Sequence, residues 1–286
     1  MSVIKESANL GFSIKIGFPK YLNTLPLLHY LEISPEIELR LKPPKEINRA
    51  LESGTLVAGL ASSLFYAKNY RDYLIIPDIS ISAVGKVKSV ILFHEGPLST
   101  LHKKIIGITP ETETSLALLR IILEDFYNIK PQYEILEEGW ANLSGSKKET
   151  LKGYLAIGDE ALLLQKKRPF DQATDLAEIW LKKTNLPFIF ALLILRRERS
   201  YSPEIREKLK AFILRLYQAR AKGVSTLKIL LKNSSLQIEP KQALSYLQHL
   251  EYDFSGLKQR AFLKFCSFLQ KRGIISKLPK LQFFDL

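Results

Sequence analysis

Residues Ile14 to Leu31, IKIGFPKYLNTLPLLHYL, leave the chain little choice of local structure. Ile14, Ile16 and Phe18 alternate as a short apolar strand, Lys20 to Thr24 form a polar turn, and Leu27, Leu28 and Leu31 then stand at helical spacing. Asn23 or Thr24 suits an N-cap, and Pro26 falls where the first turn of a helix tolerates it. A strand, a tight loop and a helix N-terminus therefore converge on one place. In an open α/β sheet, the place beyond the carboxyl end of a strand is where small anionic ligands are held.

The same pattern returns along the chain, which makes the expected fold class α/β. Ile37 to Lys42 alternates as a strand closed by Pro43-Pro44, and a short helix then ends near Gly54. Gly54 to Tyr66 reads as strand then helix with Ser62 or Ser63 as cap, and Lys104 to Ile108 leads through a Thr/Ser-rich segment into a helix over Leu116 to Phe126. After Ser202-Pro203 the chain reads as helical, with Gly223 and Gly273 as stops. At 286 residues, 46% of them hydrophobic, it is long enough for two lobes of ordinary size.

Several chemistries lack their signatures. There is no GxGxxG, P-loop, HExxH or Ser-His-Asp pattern. A lone cysteine, Cys266, makes no intramolecular disulfide and no multi-cysteine metal site, so no metal is expected. The four histidines are scattered, His94 being the one best placed to matter. The opening residues lack the uninterrupted apolar core of a secretory signal, which points to a cytoplasmic protein. The apolar run Leu186 to Leu195 suits a buried strand and is too short to span a bilayer, so no membrane partner is expected. Net charge is +13, and the segment from Arg196 onward, with 19 Lys plus Arg against 7 Asp plus Glu, carries +12 of it. Amphipathic helices with lysine-rich faces are ordinarily solvated surfaces, and without an accompanying binding motif no nucleic-acid partner is expected.

The motif Tyr21-Leu22-Asn23-Thr24-x-Pro26-Leu27 resembles the YLNT-x-PL opening of the chorismate dehydratases of the futalosine route to menaquinone. Further blocks follow in order. Gly54 to Tyr66 resembles the family's G-x-L-D-x-A-L-x-P-S-x-x-Y, with Val57 and Ser62 in place of its Asp and Pro. Ile79 to Phe93 resembles I-S-S-x-G-x-V-x-S-V-x-L-F, with Ala83 and Val84 as departures. Thr114-Ser115-x-Ala117-Leu118-Leu119 matches T-S-x-A-L-L, and Leu155 to Leu162 matches L-x-I-G-D-x-A-L, whose Asp159 reads as a helix cap. Asp175 to Ala191 matches D-L-x-x-x-W-x-x-x-T-G-L-P-F-V-F-A, with Asn185 for the glycine, and Leu193 stands where a tryptophan is usual.

The resemblance implies a two-lobed periplasmic-binding-protein-like fold of type II with a cleft between the lobes and extra C-terminal helices. Lobe I would be residues 12–93 plus 190–286 and lobe II residues 94–189, with Val90 to Phe93 and Phe188 to Leu195 as crossovers. It further implies a carbon-oxygen lyase that converts chorismate, a small-molecule substrate, to 3-[(1-carboxyvinyl)oxy]benzoate and water without a cofactor. Asn23 and Ser89 would sit beside the reacting carbons as catalytic residues, and Tyr21, Thr24, Ser63, Thr114 and Ser115 would bind substrate. Lys20, Lys86 and Lys88 would add positive potential at the mouth. Two other readings share this fold: a non-catalytic carboxylate-binding or sensing protein, and the dihydroxynaphthoate-forming enzyme of the same pathway.

Overall fold

The computed structural model describes residues 13–110, 112–232 and 237–286. The first twelve residues, read above for a secretory signal, lie outside them.

The chain first builds β1 (Ile14–Pro19), a 3-10 turn (Leu22–Thr24), α1 (Leu25–Leu28), β2 (Ile37–Lys42), α2 (Pro44–Glu52), β3 (Ala58–Ser62), α3 (Ser63–Asn69) and β4 (Tyr73–Ala83). It then crosses to β5 (Val90–His94), β6 (Ile105–Ile108), α4 (Glu113–Arg120) prolonged by a π-helical turn (Ile121–Phe126), β7 (Gln132–Ile135), α5 (Gly145–Thr150), β8 (Gly153–Ile157), α6 (Gly158–Lys167), β9 (Gln172–Asp175) and α7 (Leu176–Thr184). It returns through β10 (Phe188–Arg196) and finishes with α8 (Pro203–Ser225), α9 (Leu227–Lys232), α10 (Pro240–Leu247) and α11 (Gly256–Lys271).

Two five-stranded sheets result, ordered β2-β1-β3-β10-β4 and β7-β6-β8-β5-β9. Each consists of strands running one way plus one reversed strand: β10 is antiparallel to β3 and β4, and β5 is antiparallel to β8 and β9. The reversed strand of each sheet is the one just arrived from the other. This reciprocal exchange gives the two-lobed architecture that the sequence implied.

Three local expectations need correction or comment. Val90 to Phe93 does not belong with lobe I: it pairs along its length with β8 and β9 in the second sheet, so the first crossover is the stretch 84–89. The turn there uses Gly85 and Lys88, both at positive φ, with the Lys88 amide bonded to Asp175 at 2.7 Å. Gly223 does not end α8, which continues to Ser225. It is the buried point where α8 crosses α1, and a Cβ there would sit 1.9 Å from the Pro26 carbonyl oxygen. Asn185 does take the left-handed conformation expected of the residue replacing a glycine, with φ 57.

Burial follows the patterning. In β5, Val90 and Leu92 join the large core that runs through both lobes, while Ile91 and Phe93 face a smaller cluster with Tyr154 and Leu164. The C-terminal helices tie the lobes together behind the cleft. On α11, Phe262 packs on Tyr66 of the first lobe and Phe268 on Trp180 of the second, at centroid distances of 5.8 Å each. Just past its end, Arg272 reaches Glu124 at 2.8 Å and Asp125 at 3.2 Å.

Candidate functional site

The carboxyl ends of the parallel strands of both sheets meet at one cavity, with an empty volume of about 790 Å³ including its open mouth. The N-terminal turns of α2, α4 and α6 reach its wall through Lys45, Thr114 and Gly158, which brings the positive ends of three helix dipoles to the cavity. Leu60, Ile81 and Phe190 supply an apolar face. Such a site suits a flat ring with anionic substituents.

Tyr21 and Asn23 line the cavity because of how their turn is braced. The Thr24 hydroxyl donates to the carbonyls of Pro19 and Tyr21, at 2.9 Å each, and locks the 3-10 turn after β1. Thr24 is buried and does not line the cavity, so its expected substrate contact is replaced by a structural role. The Tyr21 ring lies flat against Gly158, whose φ of 57 and lack of a side chain both serve this approach, since a Cβ would meet the ring at 3.3 Å. Asp159, expected to cap α6, instead accepts the Leu22 amide across the cleft at 3.2 Å, and burial raises its carboxyl above the ordinary aspartate range.

Ser89 opens the second wall, buried but lining the cavity, with its carbonyl accepting from the Gly158 amide at 2.8 Å. Thr114 and Ser115 lie at the N-terminus of α4 and also line it. Thr114 also joins the lobes, because its Oγ1 accepts the Leu64 amide at 3.0 Å and so ties α4 of one lobe to α3 of the other. Ser63 is turned away. Its hydroxyl donates to the Ile189 carbonyl at 2.7 Å, and it is Ser62, the N-cap of α3, that reaches the cavity and pairs with Asn48. Ser63, expected to bind substrate, therefore does not line the cavity, and its neighbour Ser62 does.

Two of the cations expected at the mouth, Lys86 and Lys88, have partners of their own. Lys86 faces Glu178 at 3.7 Å, and the Lys88 amine bonds Ser245 at 2.6 Å. Lys45, beside Pro44 at the start of α2, is the lysine that lines the cavity, together with Glu113. Tyr246 of α10 is wholly buried beneath the site, and its hydroxyl faces Ser89 and Asn23 with Asp159 and Tyr21 close by. Burial pushes this phenol far above its usual range. Nothing in the local sequence around Lys45, Asn48 or Tyr246 marks them, because their role arises from long-range packing. His94 is structural: its ring nitrogens bond the Gly96 carbonyl and Thr174, and burial lowers its basicity.

Residues 14–271 match the profile of a family described as menaquinone biosynthesis. A chorismate dehydratase of Thermus thermophilus is 33% identical over 85% of this chain and 92% of its own. Among solved structures, a Candida albicans protein described as having the generic periplasmic binding protein fold superposes with a TM-score of 0.69 at 11% identity, covering 96% of this chain and 98% of that one. The periplasmic aliphatic sulphonate binding protein of Escherichia coli gives 0.61 at 14%, covering 94% and 95%. At those identities the two structures speak for the fold alone. The two-lobed fold and the match along nearly the whole chain agree: the chain belongs to the menaquinone-biosynthesis family that includes the chorismate dehydratases.

Proposed function

We propose that this chain is a chorismate dehydratase, a carbon-oxygen lyase giving 3-[(1-carboxyvinyl)oxy]benzoate and water in menaquinone biosynthesis. One observation carries the reading. Asn23 and Ser89, from two motifs that resemble those of the chorismate dehydratases, line the same cavity, which three helix N-termini also reach.

The chemistry asks for positioning more than for a cofactor. A proton leaves the ring carbon that bears the ether, with its electrons spread toward the ring carboxylate. The hydroxyl on the neighbouring carbon departs, takes up a proton and leaves as water, and the ring becomes aromatic. The protein lowers the barrier by binding two carboxylates and stabilising the delocalised charge. In this reading Lys45 and the α4 terminus with Thr114 and Ser115 hold the carboxylates, and Leu60, Ile81 and Phe190 flank the ring. Asn23 and Ser89 stand beside the reacting carbons. A carboxamide is too weak a base to take the proton itself, so Asn23 orients a substrate carboxylate or a water that does.

The test is product identity. Purified protein incubated with chorismate should yield an aromatic compound lighter than chorismate by one water, separated by chromatography and identified by mass. Binding of chorismate without this product would favour a carboxylate-binding protein instead, and neither binding nor product would remove chorismate as the ligand.

A further inference from the structure

Of the buried polar side-chain atoms that lack a formed hydrogen bond among the described residues, two belong to the neighbourhood of the site. Asn23 Oδ1 and the Tyr246 hydroxyl are both shut off from solvent, and neither has a formed hydrogen bond. The helix that carries Tyr246 packs against the 3-10 turn that carries Asn23, and Asn23 and Ser89 both lie close enough to that hydroxyl to influence it. A buried carbonyl oxygen opposite a buried O–H is a costly arrangement unless the two are paired in the working site, and hydrogen bonds of catalytic side chains are often long before substrate tightens them. We propose that Tyr246 is a positioning residue for the dehydration, its O–H donating to Asn23 Oδ1 so that the Asn23 Nδ2 edge is presented to the cavity.

This inference rests on the function proposed above and adds a consequence to it. With Oδ1 engaged from below, Asn23 meets the substrate as a hydrogen-bond donor, the role needed to hold a carboxylate and the opposite of a base. Ser89 is a second neighbour of the same phenol. The basic C-terminal segment thereby gains a role through α10. That helix is held to the second lobe through the Gln242 bond to the Leu162 carbonyl at 2.6 Å, and it carries Tyr246 beneath the turn of the first lobe. The tyrosine thus sits where both lobes meet.

The experiment is Tyr246→Phe, which removes one oxygen that bonds nothing else among the described residues. The melting temperature should not fall. Turnover of chorismate should drop roughly tenfold in kcat, with KM held within about twofold, because one positioning bond is lost and the binding groups are untouched. In nitrogen-15 spectra, the Asn23 side-chain amide signal, identified by its loss in Asn23→Ala, should move in Tyr246→Phe. A full kcat in Tyr246→Phe, or an unmoved Asn23 signal, overturns the proposal. If the wild-type protein leaves chorismate untouched, the dehydratase reading fails by that result alone, and the Asn23 signal still decides whether Tyr246 holds the carboxamide.

Discussion

Replacing Gly223 by alanine sets two effects of opposite sign against each other. Gly223 lies inside α8, where alanine is favoured over glycine by about 1 kcal/mol on helix propensity alone. The added Cβ, however, would stand 1.9 Å from the Pro26 oxygen and 2.7 Å from its carbonyl carbon. Atoms at that separation must part to at least 3.0 Å, a shift of at least 1.1 Å, and the obstacle is backbone, which cannot rotate away. Overpacking of this kind costs about 1–3 kcal/mol, and a backbone clash belongs at the upper end. The net expectation is a loss of about 2 kcal/mol, or roughly 4 °C in melting temperature. Pro26 is three residues from Asn23 in the same braced turn, so the displacement is passed to the site, where an error of about 1 Å can cost roughly 100-fold in rate. Thermal unfolding and chorismate turnover of Gly223→Ala, side by side, check both halves. A variant that melts higher and keeps its kcat would refute the reasoning, since helix propensity would then have won.

Other consequences are simpler. Thr114→Val leaves the buried Leu64 N–H without its acceptor and should cost about 1–3 kcal/mol in denaturant unfolding; a cost near zero would show that the link between α3 and α4 is dispensable. Lys45→Ala should raise KM for chorismate roughly tenfold or more with little change in kcat, as expected for a group that binds ground and transition states alike. A fall confined to kcat would assign Lys45 to the chemistry instead. Burial raises the Asp159 carboxyl above 3.8, so ionising it costs the folded chain more than the unfolded one. The stability present while the group is protonated is lost as pH rises through the raised value, and Asp159→Asn should therefore be the more stable protein at pH 8, with the difference vanishing as pH falls toward 3.8. A variant less stable than wild type at pH 8 would mean that the charge on the Leu22 bond outweighs the burial.

How far the sequence could be read depended on the range of the forces involved. Strands were legible because alternation acts within a few positions, and β1 and Pro26 in the first turn of α1 came out as expected, whereas Thr24 makes no capping bond and α1 stops at Leu28, short of Leu31. Asn23, Tyr21, Ser89, Thr114 and Ser115 all line the cavity: Tyr21 and Asn23 follow β1, Ser89 leads into the reversed strand β5, and Thr114 and Ser115 open α4. Thr24 and Ser63 do not, for a local reason. Neighbouring polar residues at a helix N-terminus point in different directions, and spacing does not say whether Ser62 or Ser63 faces inward. Gly223 departs from expectation because a glycine near a helix end looks the same whether it stops the helix or admits another backbone. Tyr246 left no trace: 223 positions separate it from Asn23, and it contributes through a packing arrangement that no local pattern encodes.

The most direct test of the whole account compares kcat/KM for chorismate between the wild-type protein and Asn23→Ala, both extensively dialysed and assayed with no added metal or nucleotide. The account predicts that the wild type converts chorismate to the aromatic ether and that Asn23→Ala, folded to the same melting temperature, loses at least about 100-fold. An Asn23→Ala variant as active as the wild type would contradict it, because the chemistry would then lie somewhere other than the turn on which this site is built.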